Sequence, residues 1–417
     1  MSGRPESIAV VGAGIGGLTA ALLLSRAGFT VSLIEKRTRV EEEGAGLQLS
    51  PNASRILIDA GLGPALSRRA TAPECVRIRR GRDARDLAAI PLGLSVKERH
   101  GAPYLVIHRA DLAGLLLDAV RGEPRIQLLY GREARGIAEH EHGLTLSLRS
   151  ERGVESKLDA CALIAADGIR SAHAPSKEPP RFSGFCAWRA LVPAAAKPEL
   201  ARAREVGLWL GPGAHLVHYP LKNGDLLNLV AVIEEKRPKE GWSRPGDAKM
   251  ITEAFADWGD FARTLIASAP AWKCWSLFDR KPSRQWGNGL VTSLGDAAHP
   301  MLPFLAQGAA LAIEDGAVLA AKLAPLARVR SAPSGRKGAI TAPSGATERS
   351  TEMARALRRY ERDRAARTAR AQREARRNVF RYHARPPLSI ARDLFLSRSS
   401  GEKLLARYDW LYGWRPA

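Results

Sequence analysis

Cysteine is scarce in this 417-residue chain, and Cys75, Cys161, Cys186 and Cys274 lie far apart with no C-x-x-C pair. That spacing excludes a zinc ribbon and a disulfide scaffold, so no metal site is expected and a reducing cytoplasm is the expected home. Long uncharged runs are scarce too. Ile8–Ser25 spans 18 residues, about the minimum for a membrane span. Its first half carries Gly12, Gly14, Gly16 and Gly17, and it lacks the cleavage pattern of a secretory signal. No membrane span is expected.

Acidic residues are in deficit, 43 against 64 lysines and arginines, leaving a net charge of +21. Nearly half of the excess sits in one stretch: Arg349 to Arg385 holds 13 arginines and 4 acids. Met353, Ala356, Leu357 and Tyr360 recur there at helical spacing, which predicts a long amphipathic helix. Arginines at 364, 367, 370, 373 and 376 step by three, so they spiral round the cylinder rather than form one stripe. The expectation is a solvated surface helix. No zinc-finger spacing, RNP motif or aromatic-interleaved basic strand accompanies it, so no specific nucleic acid is expected as a partner.

All nine tryptophans lie at or beyond Trp188, which gives the second half a different core from the first. The run Ser7–Val11, a glycine turn, helical Leu18–Arg26 and the strand Thr30–Ile34 make a β-α-β unit. Cys75 to Pro91 reads as a hairpin of another layer. A helix follows Leu105–Ile107 with Asp111 as its expected N-cap, and Ala162–Ala166 is a buried strand. From Phe182 to Trp286 strands dominate. The expected fold is α/β, a dinucleotide domain in three sequence pieces with an inserted β-rich domain and C-terminal helices. The dinucleotide domain takes 1–74, 105–177 and 287–323, and the β-rich domain takes 75–104 and 178–286. Residues 324–347, rich in Pro, Gly, Ser and Ala, are expected to be a disordered linker before a helical region at 348–417.

Gly12-x-Gly14-x-x-Gly17 follows a strand and opens a helix, and Glu35 ends the next strand. The glycines permit a tight turn and a close approach of backbone to a pyrophosphate, which the helix N-terminus attracts. Glu35 can accept from ribose hydroxyls and repels a 2′-phosphate, so FAD or NAD fits better than NADP. Two more strands end in chemistry. One closes on Ala165-Ala-Asp167-Gly-Ile-Arg-Ser171. The other closes on Gly295-Asp296-Ala-Ala-His-Pro300, followed by Pro303-Phe-Leu-Ala-Gln-Gly-Ala-Ala310 and Glu314-Asp315-Gly316.

This combination resembles the single-component FAD-dependent aromatic hydroxylases, in the salicylate hydroxylase-like branch. Gly46-Leu-Gln-Leu-Ser-Pro-Asn52, the stretch Tyr104 to Leu112, Ala187-Trp-Arg-Ala-Leu191 and His215-Leu-Val-His-Tyr-Pro220 support it. The resemblance implies an α/β fold, a Rossmann-like FAD-binding domain of the glutathione-reductase type with an inserted β-rich substrate domain. It implies a cytoplasmic flavoprotein monooxygenase that binds FAD, meets NADH or NADPH transiently and hydroxylates a phenolic aromatic carboxylate through a flavin C4a-hydroperoxide. It implies small aromatic and O2 partners and a monomer or homodimer. Gly12, Gly14, Gly17, Glu35, Lys36, Gln48, Arg109, Asp167, Asp296, Gly308, Ala309 and Ala310 would serve the cofactor. His215 would take the phenolic proton, with Gln307 and Pro303 beside it, and Tyr219 and Phe304 would shape the substrate site. An unperturbed histidine in that role would lose activity below about pH 6.5. Blander readings stand beside these: a surface ion pair for Arg109 and Asp167, a turn cap for Gln48, an ordinary strand histidine for His215. A halogenase, an isoprenoid reductase, an N-heterocycle hydroxylase of the same fold, or a basic flavin-containing binding protein are the alternatives. The halogenase stretch W-x-W-x-I-P is missing.

Overall fold

Five short, apolar strands assemble in parallel, in the order Val291–Ser293, Ala162–Ala165, Ser7–Val11, Thr30–Glu35 and Ile126–Tyr130. The computed structural model describes residues 7–40, 46–174, 178–238, 244–328 and 344–416. These strands are continuous apolar runs because both faces of the sheet are covered, one by helices and the other by an antiparallel ribbon. Helix Ile15–Arg26 packs on it, against helices Arg109–Arg121 and Gly308–Arg328. An antiparallel ribbon of Arg132–His140, Gly143–Ser150 and Glu155–Ala160 sits beside the sheet.

The second layer is an eight-stranded mixed sheet whose centre runs Trp272–Asp279, Arg181–Pro193, Leu226–Glu234, Ala214–Leu221 and Glu205–Gly211. The hairpin Cys75–Arg80 and Asp86–Pro91 extends it, entering parallel to Glu205–Gly211. One face buries Trp188, Trp209, Phe255, Trp258 and Trp272, which accounts for four of the nine tryptophans. On the opposite face, Ala187, Arg189, Val230, Val232, His215 and Tyr219 stand in register, since alternate residues of a strand share a side.

Three sequence expectations need correction. The helix after Leu105–His108 begins at Arg109, and its cap is His108, whose Nδ1 accepts from the Ala110 N–H at 3.3 Å; Asp111 lies inside the first turn. Residues 324–328 are not linker but the end of helix Gly308–Arg328. Leu326 and Ala327 pack on the dinucleotide core there, and residues 329–343 lie outside the described residues.

The third concerns the basic helix, Ser344–Tyr382, which is 39 residues long and is not a solvated surface helix. Met353, Ala356, Leu357 and Tyr360 are buried in the dinucleotide core as their spacing predicts. Arg364, Thr368, Gln372 and Asn378 are buried as well. Helical spacing shows which residues share a face, but not that acids elsewhere await the arginines on it. The short helices Gly401–Ala406 and Asp409–Tyr412 then pack into the second sheet's core.

Candidate active site

Four of the five parallel strands deliver functional residues from their C-terminal ends to one edge, where open α/β sheets hold their ligands. Ser7–Val11 leads into the glycine turn. Gly12 has φ +101°, and a Cβ at Gly17 would overlap the Gly12 carbonyl oxygen. Gly14 is the N-cap of Ile15–Arg26 and has no side chain to offer, leaving the first amides of that helix for an anion. Glu35, ending the neighbouring strand, accepts from Ala13 N–H at 2.9 Å and from Arg37 N–H at 3.0 Å. It thereby fixes the turn and keeps lone pairs for further donors. Lys36 beside it is exposed.

Ala162–Ala165 leads to Asp167, whose Oδ1 is buried without a hydrogen-bond partner among the described residues. A buried carboxylate oxygen left so requires a donor from outside the protein. Val291–Ser293 leads to the turn Gly295–Ala297 and to Asp296. That side chain is solvent-accessible yet closely surrounded by protein, as on the floor of a cleft. Burial among these atoms raises its pKa, against the pull of His299 and Arg109. Arg109, half-buried at the start of its helix, thus belongs to the same cleft. Gln48 lies on strand Gly46–Leu49, where its Oε1 accepts from the Tyr104 hydroxyl at 2.5 Å, so it is no turn cap.

Pro303 opens a tight turn closed by Ala306 at φ +52°, and then Gly308–Arg328 begins, with Gly308 and Ala309 half-buried and Ala310 buried. A 21-residue helix therefore presents its positive end at this edge. Gln307, just before it, is buried: its Nε2 donates to Ser50 Oγ at 2.8 Å and its Oε1 accepts from Asn52 Nδ2 at 3.1 Å. Asn52 also donates to Glu314 at 2.6 Å. The partners of Gln307 are thus Ser50 and Asn52, and His215 is not among them.

Behind that helix lies a charge cluster whose acids and central arginine are buried. Arg364 donates to Glu314 at 2.6 Å and to Asp315 at 2.7 Å, and Arg367 reaches both oxygens of Glu314 at 2.7 Å. Asp315 further meets His299 Nε2 at 2.5 Å and accepts from Gly295 N–H at 2.9 Å. Burial pushes the Asp315 carboxyl up, but His299 and Arg364 outweigh it and hold it at about 2. The arginines of the basic helix therefore anchor the Gly295 turn and the Gln307 helix from behind.

The second sheet supplies the opposite wall. His215 is buried, with its ring 5.3 Å from that of Phe304 and its Nδ1 2.7 Å from His383 Nε2. Burial, then His383, holds its pKa well below the ordinary value. Tyr219 is buried over Gly46, where a Cβ would overlap its ring. Burial raises the pKa of its hydroxyl and the Arg189 charge opposes it.

Two residues of this wall had not been singled out. Arg189 appeared only inside the Ala187–Leu191 motif. Its guanidinium lies over Trp275 at 5.5 Å, its Nε is buried without a hydrogen-bond partner, and no acid pairs with it among the described residues. Burial lowers its pKa, Tyr219 raises it and Arg109 lowers it. His383 carries no local motif and lies 168 residues from its partner.

The comparisons with known proteins agree with this geometry. A family model described as an FAD binding domain matches residues 6–335. A 3-amino-4-hydroxybenzoate 2-monooxygenase of Streptomyces platensis is 38% identical, covering 99% of this chain and 97% of its own. A 3-hydroxybenzoate 6-hydroxylase of Polaromonas naphthalenivorans is 33% identical, covering 99% and 98%. A solved salicylate hydroxylase in complex with its substrate superposes with a TM-score of 0.77 at 25% identity, covering 99% and 97%.

Proposed function

The chain belongs to this FAD binding domain family, and from that premise we propose that it hydroxylates the ring of a phenolic aromatic carboxylate, using FAD, O2 and NADH or NADPH. The observation that carries the reading is the pairing of a dinucleotide edge with a wall holding a neutral histidine and an acid-free guanidinium. The cradle fits FAD. Gly12, Gly14, Gly17 and Glu35, with Lys36 at the rim, would hold the ADP half. Arg109, Gln48, Asp167 and Asp296 would hold the linking chain, the last two carboxylates offering acceptors to hydroxyl or amide donors. Gly308, Ala309 and Ala310 would face the ring system, where the helix dipole favours negative charge. When bound, FAD would supply the redox chemistry between the nicotinamide, O2 and the substrate.

The residues of the chain do the rest. Arg189 and Tyr219 take the carboxylate: a guanidinium without an acid partner in a partly dry site binds a planar anion in bidentate fashion. Phe304 and Pro303 hold the ring, and Gln307 keeps the turn before the helix in place through Ser50 and Asn52. His215 is unprotonated at neutral pH and removes the phenolic proton, making the ring electron-rich. Its lowered pKa moves the acid limit of activity below the pH 6.5 expected for an unperturbed histidine. Among the described residues no helix is long and apolar enough to cross a membrane. A cytoplasmic enzyme with small-molecule partners alone, monomeric or homodimeric, completes the proposal.

The test is a panel of 3-hydroxybenzoate, 3-amino-4-hydroxybenzoate, salicylate and their des-carboxy analogues. NADH and NADPH oxidation are measured with product identification. At least one acid should stimulate both oxidation and hydroxylation, and its des-carboxy analogue should not. Equal responses to acid and phenol would remove the role of Arg189.

A further inference from the structure

We propose that His215 and His383 form a two-imidazole proton relay, in which the phenolic proton taken at His215 Nε2 leaves the protein through His383 Nδ1. The inference rests on the reading of His215 as the group that meets the phenol. His383 follows the long helix Ser344–Tyr382 and reaches back to the second sheet, placing its Nε2 2.7 Å from His215 Nδ1. One of these nitrogens must carry a hydrogen and the other must offer a lone pair, so the contact is a path for a proton.

The surroundings of the pair decide what it can do. Phe185 stacks on His383 at 4.5 Å, Phe304 stands edge-on to it at 5.7 Å, and Tyr382 lies 5.3 Å from His215. No carboxylate is bonded to either imidazole among the described residues. The charged groups near the exit are Arg392, which acts on His383, and the pair Arg385–Glu234 at 2.9 Å beside Gly213, whose N–H donates to the His383 carbonyl. An imidazolium buried among aromatic rings without a counter-ion is strongly disfavoured. Burial, then Arg392, holds His383 at about 4, and His215 is held well below its ordinary value by burial and then by His383. At neutral pH neither ring can store a proton. Each can only pass it on.

The exit is identified by the atom without a partner. His383 Nδ1 is buried and has no hydrogen-bond partner among the described residues, while Ala384 and Arg385 next to it are half-buried and exposed. A buried polar atom so close to the surface is one that water satisfies. The transfer balances without any further reagent. The phenol O–H breaks as His215 Nε2–H forms; His215 Nδ1–H breaks as His383 Nε2–H forms; His383 Nδ1–H goes to water. A phenolate remains beside His215, and both imidazoles are neutral with exchanged tautomers. Running backwards, the relay returns a proton to the product and restores the starting tautomers. His383 touches no substrate and acts only through His215.

Two variants separate relay from mere support. In His383→Gln the amide can hydrogen-bond to His215 Nδ1 but cannot pass a proton, and in His383→Ala the space opens towards solvent. Both are measured as FAD-loaded enzyme in single turnover with an aromatic acid that the wild type hydroxylates, with flavin content and melting temperature as checks on folding. The expected result is a rate of phenolate formation at least about ten-fold lower in both, within the range of general-base effects, with ligand affinity unchanged. Added imidazole should restore the rate of His383→Ala in proportion to its concentration, and should do so with a pH profile following free imidazole. A His383→Gln variant as fast as wild type, or a His383→Ala variant that imidazole does not rescue, would overturn the relay. A wild type that hydroxylates no aromatic acid would instead count against the functional reading, so the two failures are distinct.

Discussion

Arg364→Met removes the centre of the buried charge cluster while keeping a long, flexible apolar side chain in its place. The arginine has 1% of its side chain exposed, and both Glu314 and Asp315 have none. Breaking one member of such a cluster typically costs about 3–5 kcal/mol, because the remaining charges stay buried without their partner. Here Arg367 still holds Glu314, and His299 with the Gly295 amide still holds Asp315. The loss should therefore fall at the lower end, about 3 kcal/mol. For a chain of this size that is a fall in melting temperature of roughly 3–4 °C. The exposed Arg362 on the same helix is the control; Arg362→Met should stay within about 0.5 kcal/mol of wild type. Asp315, released from Arg364, should also titrate higher, so the variant should lose stability at a higher pH on acidification than wild type. Differential scanning calorimetry of both variants at pH 7.5 and 5.5 reads all of this. Equal melting of Arg364→Met and wild type would refute the placing of the basic helix as an internal anchor.

Other consequences follow from single contacts. Gly17→Ala puts a methyl group against the Gly12 carbonyl; the purified protein should lose its bound flavin, and a full flavin absorbance per chain would contradict the cradle. Arg189→Met should raise KM for the aromatic acid by about 10–100-fold, the worth of a hydrogen bond to a charged group, with FAD content unchanged; an unchanged KM would exclude the carboxylate role. His218 is buried against Gly207 with neither ring nitrogen bonded among the described residues, and burial lowers its pKa from 6.5 to about 4, Glu205 opposing and Arg79 assisting. The folded state then binds fewer protons than the unfolded one between those values. The share of stability carried by His218 should be full above pH 6.5 and fall by about 3 kcal/mol towards pH 4, on top of the shares of His215 and His383. A His218→Phe variant whose urea midpoint falls as much as that of wild type across this window would show that the His218 site is wet.

Where sequence reading succeeded, local chemistry dictates structure. Strand, glycine turn, helix and terminal acid are adjacent in the chain, so Gly12, Gly14, Gly17 and Glu35 could be read directly. Strand periodicity alone sets His215, Val217 and Tyr219 on one face of Ala214–Leu221. Where it fell short, the partner lay far away. Nothing near Arg364 signals Glu314 and Asp315, nothing near His383 signals His215, and the lone guanidinium of Arg189 shows only once the absence of a nearby acid is visible. Asp111 misled as a cap because His108 could do the same work three residues earlier.

The central claim is tested most directly by isotope. The FAD-loaded enzyme is supplied with NADH or NADPH and its preferred aromatic acid under 18O2, and the product is analysed by mass spectrometry. One 18O atom in each newly hydroxylated ring, with none arriving from labelled water, is the predicted result. Nicotinamide oxidation that ends only in hydrogen peroxide for every acid tried, or a ring oxygen drawn from water, would contradict it.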